Sequence, residues 1–459
     1  MLKLIQNEWI KIFSKISTYV LLGLTLLLTM GYSILARSLG AYEPHSYTYN
    51  DYDLNSEIAY LESSRPEGYE ADVKRYQFML DNGDSWDMDS WEFNALTEVF
   101  SAIQSPLIYQ ADQLSPEETA ALEEKFNALT SAIVSHDFQS YAALWILEIE
   151  SQDISDNMKD ARTFPYQFML ENNLDPSGDS WKIDAVSELG DAMVRMASLE
   201  DQQAQGSYVS EESMTEASDT LALAQYRLEH EISSYMTEDG TTNSQYWRAL
   251  LEGGVLLTFI SVVMIVIAGG SVANEFSSGT IKFLLINPVK RSKIIISKFL
   301  SLMLLCGAMI LGIFMVNGLF DLILFRDAFG VPMLTVEQGT VTEGSALLYA
   351  LKQYALNGIT MIAMTTLAFM ISSLMRSSAV AIGIGVASLL GGTMISSILV
   401  QYGCDWGRYL IFSNLNLSQI AEGYGMYPNQ SLLFALGVLA VHMIIFLFTA
   451  FDGFTRREV

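Results

Sequence analysis

The chain has 459 residues, of which 51% are hydrophobic, and its formal net charge is −27 at pH 7. This combination argues against one uniform globule, because high apolar content beside high charge indicates two separate populations of residues. Residues 37–248 contain 41 acidic and 11 basic residues, whereas the remainder contains 11 acidic and 14 basic ones. The acidity therefore belongs to one block, and we expect no nucleic-acid partner for a chain with this charge balance.

Six apolar runs are long enough to cross a bilayer, whose hydrocarbon core of about 30 Å takes roughly 20 helical residues. The fourth run contains Thr360, Thr365 and Thr366, so we expect it to pack against other helices rather than against lipid. The sequence predicts an all-α polytopic membrane protein, with six transmembrane helices plus a large, mainly helical extracellular domain. The runs cover residues 17–36, 253–272, 299–325, 357–374, 379–400 and 431–451.

The first apolar run is expected to remain in the protein as a signal anchor. It is longer than the apolar part of a typical signal peptide. The basic Arg37 also lies where a signal-peptide cleavage site requires small residues. We therefore expect three parts in the chain. Residues 1–36 hold an amphipathic helix and the first span, residues 37–248 hold the acidic domain, and residues 249–459 hold five further spans.

The distribution of Lys and Arg predicts the orientation in the membrane. If the N-terminus is cytoplasmic, eleven of the 14 basic residues outside the acidic block lie in cytoplasmic segments. Both termini are then cytoplasmic, and residues 37–248 are extracellular, in a multi-pass protein of the plasma membrane. These basic residues are Lys3, Lys11, Lys15, Lys282, Lys290, Arg291, Lys293, Lys298, Arg376, Arg456 and Arg457.

The acidic block must obtain its stability from packing. The chain has two cysteines, Cys306 and Cys404, and neither lies in this block, so no disulfide framework holds it. One helix start is clear from local signals. Ser115 is the predicted N-cap, Pro116 the first helical residue and Glu118 the partner in a capping box.

An internal repeat occurs within the acidic block. YQFMLDN at residues 76–82 is echoed by YQFMLEN at residues 166–172, and GDSW at residues 83–86 is echoed at residues 178–181. Each copy predicts a helix end, a glycine turn and an Asp or Ser cap for the next helix. A duplicated packing unit is favoured over a pair of ligand sites. The acidic string at residues 81–92 fails the EF-hand pattern, and a solvated acidic face is favoured over a calcium site.

Residues 274–300, NEFSSGTIKFLLINPVKRSKIIISKFL, join the second and third spans and carry five basic residues and one acid. Gly279 permits a sharp turn, and Thr280 can cap a new helix. Each of Phe283 and Leu284 would forgo about 1.5–3 kcal/mol of burial if it were exposed to water. On these residues alone two alternatives stay open, an interfacial helix on anionic lipid and a docking helix for a cytoplasmic partner.

The run EFSSGTIKFLL, followed by Pro, Arg, Ile and Lys at fixed spacing, resembles the intracellular loop of ABC transporter permeases of the type-2 exporter family. In that family this loop, here residues 273–298, carries a coupling helix that inserts into the ATP-binding subunit. The resemblance covers all six spans. It extends to residues 2–16, which resemble the family's elbow helix, and to residues 406–423, which resemble its short outer helices. It implies an ATPase-coupling role for Glu275, Phe276, Gly279, Thr280, Ile281, Lys282, Phe283, Leu284, Leu285, Pro288 and Arg291.

The acidic block departs from this resemblance, because such permeases usually have a short first outer loop. The role of the block therefore stays open. The chain also contains no G-x-x-x-x-G-K-[ST] phosphate loop. We accordingly expect ATP and magnesium on a separate cytoplasmic ATP-binding subunit, and no cofactor, metal or catalytic residue on this chain.

The resemblance implies a non-catalytic permease subunit of a bacterial exporter. It would pair with a second permease chain, as a homodimer or heterodimer, among membrane lipids. Peptide antibiotics, lipids and other amphiphiles all stay open as substrates. Two other functions also stay open. One is an ATPase-driven signalling or mechanical transmitter that acts through the extracellular domain, and the other is an extracellular sensor without an ATPase.

Two polar residues within the spans are candidate functional groups, because ionisable side chains are costly in a membrane. For Asp321, an interfacial ion pair with Arg326 is favoured over a contact with substrate. For His442, a hydrogen bond between helices is favoured over a proton relay, because no acidic residue lies at a similar depth in its own span.

Overall fold

The computed structural model describes residues 1–40, 48–66, 68–83, 85–178, 180–280, 290–326, 329–375 and 377–456. The chain divides into two compact units. The membrane unit comprises Met1–Ala41, Ser234–Met333 and Gly344–Val459, and the insert unit comprises Tyr42–Ser233 and Leu334–Glu343.

The N-terminal part of the membrane unit forms two helices, α1 (Leu2–Phe13) and α2 (Ile16–Gly40). The hydroxyl of Thr18 donates to the carbonyl of Ile12 at 2.6 Å, and this bond satisfies a helix-end carbonyl where α1 gives way to α2. One face of α2 is buried through small hydroxyl side chains, which let a neighbouring helix approach closely. These residues are Thr18, Thr25, Thr29 and Ser33.

The insert unit is mainly helical. Its two short strands, β1 (Thr48–Asn50) and β2 (Ser85–Asp87), pair antiparallel. A π-helical segment, Phe100–Gln104, continues directly from the helix before it. The α-helices are α3 (Asp51–Ser64), α4 (Tyr69–Asn82), α5 (Trp91–Val99), α6 (Ser105–Tyr109), α7 (Pro116–Val134), α8 (Phe138–Ser151), α9 (Asp156–Glu171), α10 (Trp181–Ala204) and α11 (Glu211–Glu229).

The insert unit has its own apolar core. Leu96, Ile133 and Trp145 are buried there, on α5, α7 and α8. A smaller cluster joins α10 and α11 through Leu189 and Ala224. No helix of the insert unit, among the residues that the structure describes, is long and apolar enough to span a membrane.

The predicted capping box of α7 is confirmed. The backbone N–H of Glu118 donates to the Ser115 hydroxyl at 3.2 Å, and the backbone N–H of Ser115 donates to the Glu118 carboxylate at 2.8 Å. Pro116 is the first helical residue, as predicted. The two bonds together satisfy two amide groups that a helix start would leave unpaired.

The repeat prediction is correct for the second copy. In the first copy the predicted helix end is confirmed, because α4 ends at Asn82 before Gly83, but the predicted cap is wrong. Ser180 caps α10, which begins at Trp181. In the first copy residues 85–87 instead form β2, and the cap of α5 is Ser90. Pairing with β1 explains the difference, because a strand partner can override a local capping preference. Asp84 and Asp179 lie outside the described residues.

From residue 234 onward the chain completes the membrane unit, apart from the insert-unit residues Leu334–Glu343. The strands are β3 (Met236–Thr237), β4 (Pro332–Glu337) and β5 (Thr340–Ser345). Two 3₁₀ segments, Asp405–Tyr409 and Ile411–Asn414, precede α17, so the predicted short helices are present in this region. The α-helices are α12 (Gln245–Gly253), α13 (Leu256–Ser277), α14 (Arg291–Phe325), α15 (Ala346–Leu374), α16 (Ser378–Gln401), α17 (Leu417–Ala421) and α18 (Leu432–Thr455).

The prediction of an all-α polytopic membrane protein is confirmed. Within the described residues, six helical spans are long and apolar enough to cross a bilayer: α2, α12 with α13, α14, α15, α16 and α18. In the most apolar stretch of α15, 78% of the residues are buried. This burial confirms that the threonine-rich fourth span packs against other helices. In α18 the corresponding share is 17%.

Ser372 of α15 forms three hydrogen bonds with the backbone of α13. The Ser372 hydroxyl donates to the carbonyl of Gly269 at 2.7 Å and accepts from the backbone N–H groups of Val272 and Ala273 at 3.2 and 3.0 Å. Each buried polar atom in this contact therefore has a partner, as a membrane interior requires. This contact fixes the last turns of α13, where the candidate site begins.

We predict that Ser115→Ala destabilises the insert unit by about 1 kcal/mol, because the first turn of α7 loses its cap. The measurement is the urea midpoint of the full-length protein, followed by tryptophan fluorescence. The control is Ser131→Ala on the same helix, where the side chain is exposed and caps nothing. Equal midpoints for the two variants would contradict the stabilising role of the capping box.

Candidate functional site

The candidate site is the part of the membrane unit that flanks residues 281–289. Six of the predicted coupling residues lie outside the described residues: Ile281, Lys282, Phe283, Leu284, Leu285 and Pro288. The described coupling residues are Glu275, Phe276, Gly279 and Thr280 at the end of α13 and beyond it, and Arg291 at the start of α14.

A buried lysine lies at the centre of this site. The side chain of Lys298, on the second turn of α14, is 1% exposed. Its ammonium donates to Glu8 Oε2 at 2.8 Å, to Glu275 Oε1 at 2.8 Å and to the carbonyl of Ser271 at 3.2 Å. An ammonium has three donors, so all three are used.

A second lysine completes the arrangement. The ammonium of Lys11 lies 3.1 Å from Glu8 Oε1 and 3.0 Å from Glu275 Oε1. We call Glu8, Lys11, Glu275 and Lys298 the junction cluster. It carries two positive and two negative charges, so the charges balance. It also ties α1 to the end of α13 and to the beginning of α14, which are the two helices that flank residues 281–289.

The electrostatics of α1 reflect these pairs. Burial alone would raise the pKa of the Glu8 carboxyl, but the ammonium groups of Lys298 and Lys11 outweigh it and hold this pKa below its ordinary value of 4.5. Burial alone would lower the pKa of Lys11, but the carboxylates of Glu275 and Glu8 hold it above its ordinary value. Both groups are therefore stabilised in their charged forms.

A cavity of about 810 Å³ adjoins the junction cluster. It is lined by α1, α2, α13 and α14 and by one residue of α16, with Asn7 and Asn274 among the polar residues, and it reaches Ser278 and Thr280. One oxygen of Glu275, Oε2, is buried and has no hydrogen-bond partner within the described residues. The site thus combines an open volume, fixed charges and one unused acceptor directly before residue 281.

The end of α13 is shaped by its neighbours. The ring of Phe276 packs edge-on against Phe454 of α18, with centroids 6.5 Å apart. Gly279 has φ +72°, a conformation that favours glycine, as the predicted turn requires. The hydroxyl of Thr280 lies 2.9 Å from that of Ser278. The residues that Thr280 was predicted to cap lie outside the described residues.

The start of α14 carries positive charge. Lys290 precedes the helix without a side-chain cap, and Arg291 and Lys293 lie in the first turn, where no acidic residue is present. Cations at a helix N-terminus oppose the helix dipole, so an anionic neighbour is favourable there. This end of α14 therefore favours contact with acidic side chains or lipid phosphates.

Two predictions about polar residues in the spans are wrong. Asp321 is 1% exposed and makes no ion pair with Arg326 among the described contacts, because α14 ends at Phe325 and Arg326 turns away in a left-handed conformation with φ 53°. The His442 ring bonds to the carbonyl of Val438 in its own helix at 2.8 Å. Hydrogen bonding within the helix has thus replaced the expected bond between helices.

Sequence reasoning missed Glu8 and Lys11 as members of the site. They lie on an amphipathic helix 290 and 264 residues from Lys298 and Glu275, respectively. An acid and a base three residues apart on α1 are common on solvated helices. No local sequence pattern indicated this role, because the burial of Lys298, which requires an acidic partner, is visible only in the structure.

Comparison with known proteins gives a family. The model of the family described as "Protein of unknown function (DUF2705)" matches residues 220–459. The chain belongs to this family. Within the DUF2705 match lie α12 to α18, including Glu275 and Lys298, whereas α1 lies outside it.

Two relatives come from Bacillus subtilis (strain 168). The chain is 30% identical over 245 residues to "Uncharacterized protein YhcI", covering 52% of this chain and 76% of that protein. It is 30% identical over 201 residues to "Uncharacterized membrane protein YdbK", covering 44% of this chain and 78% of that protein. No solved structure matches the chain. The name of the second relative agrees with the multi-pass membrane structure.

We predict that Lys298→Met destabilises the membrane unit by about 3–5 kcal/mol, because two largely buried carboxylates are then left with Lys11 as their one cation within the junction cluster. The measurement is the temperature at which the buried Cys306 thiol reacts with a fluorogenic maleimide in detergent. Lys293→Met changes an exposed lysine on the same helix and serves as the control. The triple variant Glu8→Gln, Glu275→Gln, Lys298→Met should recover much of the loss. Equal transition temperatures for Lys298→Met and Lys293→Met would contradict the cluster's structural role.

We also predict an acid-sensitive component of stability from Glu8. Because the pKa of Glu8 is below 4.5 in the folded protein, its stabilisation is complete above that pH. It is lost as the pH falls through the folded-state value. Glu8→Gln should lower stability at neutral pH and flatten this acid decline, measured as the thermal transition followed by tryptophan fluorescence. An acid decline of wild-type steepness in Glu8→Gln would contradict the assignment. Glu123→Gln, at an exposed carboxyl of α7, is the control.

Proposed function

We propose that the chain is the transmembrane permease subunit of an ATP-binding-cassette exporter in a bacterial plasma membrane. It couples ATP hydrolysis by a separate cytoplasmic subunit to movement of a peptide antibiotic, a lipid or another amphiphile. Both termini and residues 281–289 then face the cytoplasm, and the insert unit lies outside the cell. The distribution of Lys and Arg around the spans supports this orientation.

The observation that carries the proposal is the junction cluster. Glu275 lies six residues before the segment at residues 281–289, and Lys298 lies nine residues after it. Their carboxylate and ammonium groups are 2.8 Å apart, and both contact α1. A force applied to the segment therefore acts on α1, α13 and α14 together. A coupling element requires this property, because a loose loop would absorb the motion.

The chemistry of the segment itself supports a protein partner. Its apolar run contains Phe283 and Leu284, and basic residues follow it at the start of α14. The short helix that the sequence predicts here would be marginal alone in water and would need contacts that bury its apolar side chains. A groove in an ATP-binding subunit, lined by acidic residues at its edge, meets both needs.

Other partners follow from the same proposal. A second permease chain, identical or different, would complete the translocation path, and lipid would cover the apolar faces of α2, α16 and α18. Many apolar side chains on these helices are exposed, including Leu27, Met394 and Phe448. ATP and magnesium would be held by the partner subunit, and this chain would be non-catalytic.

A second function has support from one observation. The family match begins at residue 220, so it leaves out α3 to α10, the first half of α11 and the main apolar core of the insert unit. A large unit added to a membrane scaffold favours a role as a transmitter, in which the ATPase moves the insert unit without transporting a substrate. ATP-dependent substrate uptake by inverted vesicles would distinguish an exporter from such a transmitter.

We predict that the double variant Phe283→Asp, Leu284→Asp retains at least ten-fold less of a co-expressed phosphate-loop ATPase than the wild-type chain does. Carboxylates cannot enter an apolar groove without a large desolvation penalty. The measurements are the amount of ATPase retained by the tagged chain and the stimulation of ATP hydrolysis. The suitable ATPase is one whose reading frame lies beside that of this chain.

The control is Tyr208→Asp, which introduces a carboxylate at an exposed aromatic residue of the insert unit. It should retain wild-type co-purification. Unchanged co-purification and unchanged hydrolysis in the double variant would refute the docking role and favour an interfacial helix on lipid.

A further inference from the structure

A buried carboxylate in the third span is not explained by the proposed function. Asp321 lies near the end of α14 and is 1% exposed. Both of its carboxylate oxygens are buried and lie without a hydrogen-bond partner among the described residues. Buried charges in proteins are nearly always paired or bonded, so this carboxylate requires a specific explanation.

Three helices of the membrane unit present titratable groups to Asp321. Tyr32 on α2, Tyr246 on α12 and Tyr354 on α15 each lie close enough to interact electrostatically with it. Glu252 of α12 adds a further charged group, and its carboxylate accepts from the Tyr32 hydroxyl at 2.8 Å. These groups are neutral or negative, so none of them neutralises Asp321.

Two of the donors around Asp321, Tyr354 and Asn317, are committed elsewhere. The Ser33 hydroxyl lies close enough to the carboxylate to interact with it, and its one proton is shared with the carbonyl of Thr29 at 3.4 Å. The Tyr354 hydroxyl donates to the carbonyl of Leu250 at 2.9 Å. The amide nitrogen of Asn317 donates to that same hydroxyl at 2.9 Å. Acceptor oxygens therefore outnumber these donors at the carboxylate.

A further acceptor lies one helical turn from Asp321. The amide oxygen of Asn317 is buried and has no hydrogen-bond partner among the described residues. Residues four apart on a helix lie on the same face, so Asn317 and Asp321 share one side of α14. The site holds three unused acceptor oxygens. One proton on Asp321 removes the charge and converts one of its oxygens into a donor.

Larger occupants fit this site less well. Asn317 and Asp321 are each 1% exposed, which leaves no opening for an organic cation. No group of three His, Cys, Asp or Glu side chains that could hold a metal occurs within the described residues. A proton needs neither an opening nor a set of ligands.

We propose that Asp321 is an intramembrane proton-binding site. Its carboxyl holds a proton in the conformation described, where α2, α12 and α15 enclose it. It releases that proton to water when α14 moves and the carboxyl becomes hydrated. Any movement of α14 that opens this place is thereby linked to proton release, and the linkage holds whether or not the chain couples to an ATPase.

The test is infrared spectroscopy of the full-length protein in lipid vesicles at neutral pH. We expect a C=O stretching band of a protonated carboxyl that shifts when the protein is labelled with ¹³C-aspartate and is lost in Asp321→Asn. Labelling of aspartate alone excludes Glu98 of the insert unit, whose carboxyl pKa is raised by burial. Asp452→Asn on α18, at an acid ion-paired with Arg456 at 2.6 Å, is the control and should retain the band.

Three results would overturn the proposal. The first is a wild-type spectrum in which aspartate labelling shifts only ionised carboxylate bands, and the second is a labelled band that persists in Asp321→Asn. The third is a band that disappears when sodium replaces choline in the buffer, because that result indicates a metal-cation site. If Asp321→Asn does not fold, labelled wild-type protein still decides, since Asp321 is the one buried aspartate among the described residues.

Discussion

The buried ammonium of Lys298 is the constraint on which the candidate site depends. A lysine that is 1% exposed near the start of an apolar helix is stable only with anionic partners, and here it has two carboxylates and a backbone carbonyl. Those carboxylates come from α1 and α13, so satisfying one charge determines where three helices meet. Lys11 then compensates the second negative charge from the more exposed side.

This arrangement gives the segment at residues 281–289 a firm base on both sides. The last turns of α13 are held by Ser372 of α15 through three hydrogen bonds, and the second turn of α14 is held by the junction cluster. At the other end of α14, Asp321 is enclosed by α2, α12 and α15. One helix therefore links a charge-balanced cluster beside the proposed docking segment to a buried acid some 23 residues away. Because one continuous helix joins the two places, we expect movement at one end of α14 to displace the other end.

Sequence patterns predicted what depends on local chemistry. The six spans were evident because each is a long apolar run, and the capping box of α7 was evident because its partners are three residues apart. The pair of Glu8 and Lys298 could not be predicted, because its members are 290 residues apart. The repeat shows the same limit, since β1 draws residues 85–87 of one copy into a strand while Ser180 of the other copy caps a helix. The ion pair expected between Asp321 and Arg326 does not form, because α14 ends before Arg326.

The most direct test of the account is to determine what residue 283 touches in living cells. A photo-crosslinking amino acid at that position, in otherwise unaltered protein, records its neighbour at the moment of irradiation. The account predicts crosslinks to a cytoplasmic protein that carries a phosphate-loop motif, with a yield that changes when ATP is depleted. Crosslinks to lipid alone, unaffected by ATP, would contradict the claim that a partner ATPase binds this segment.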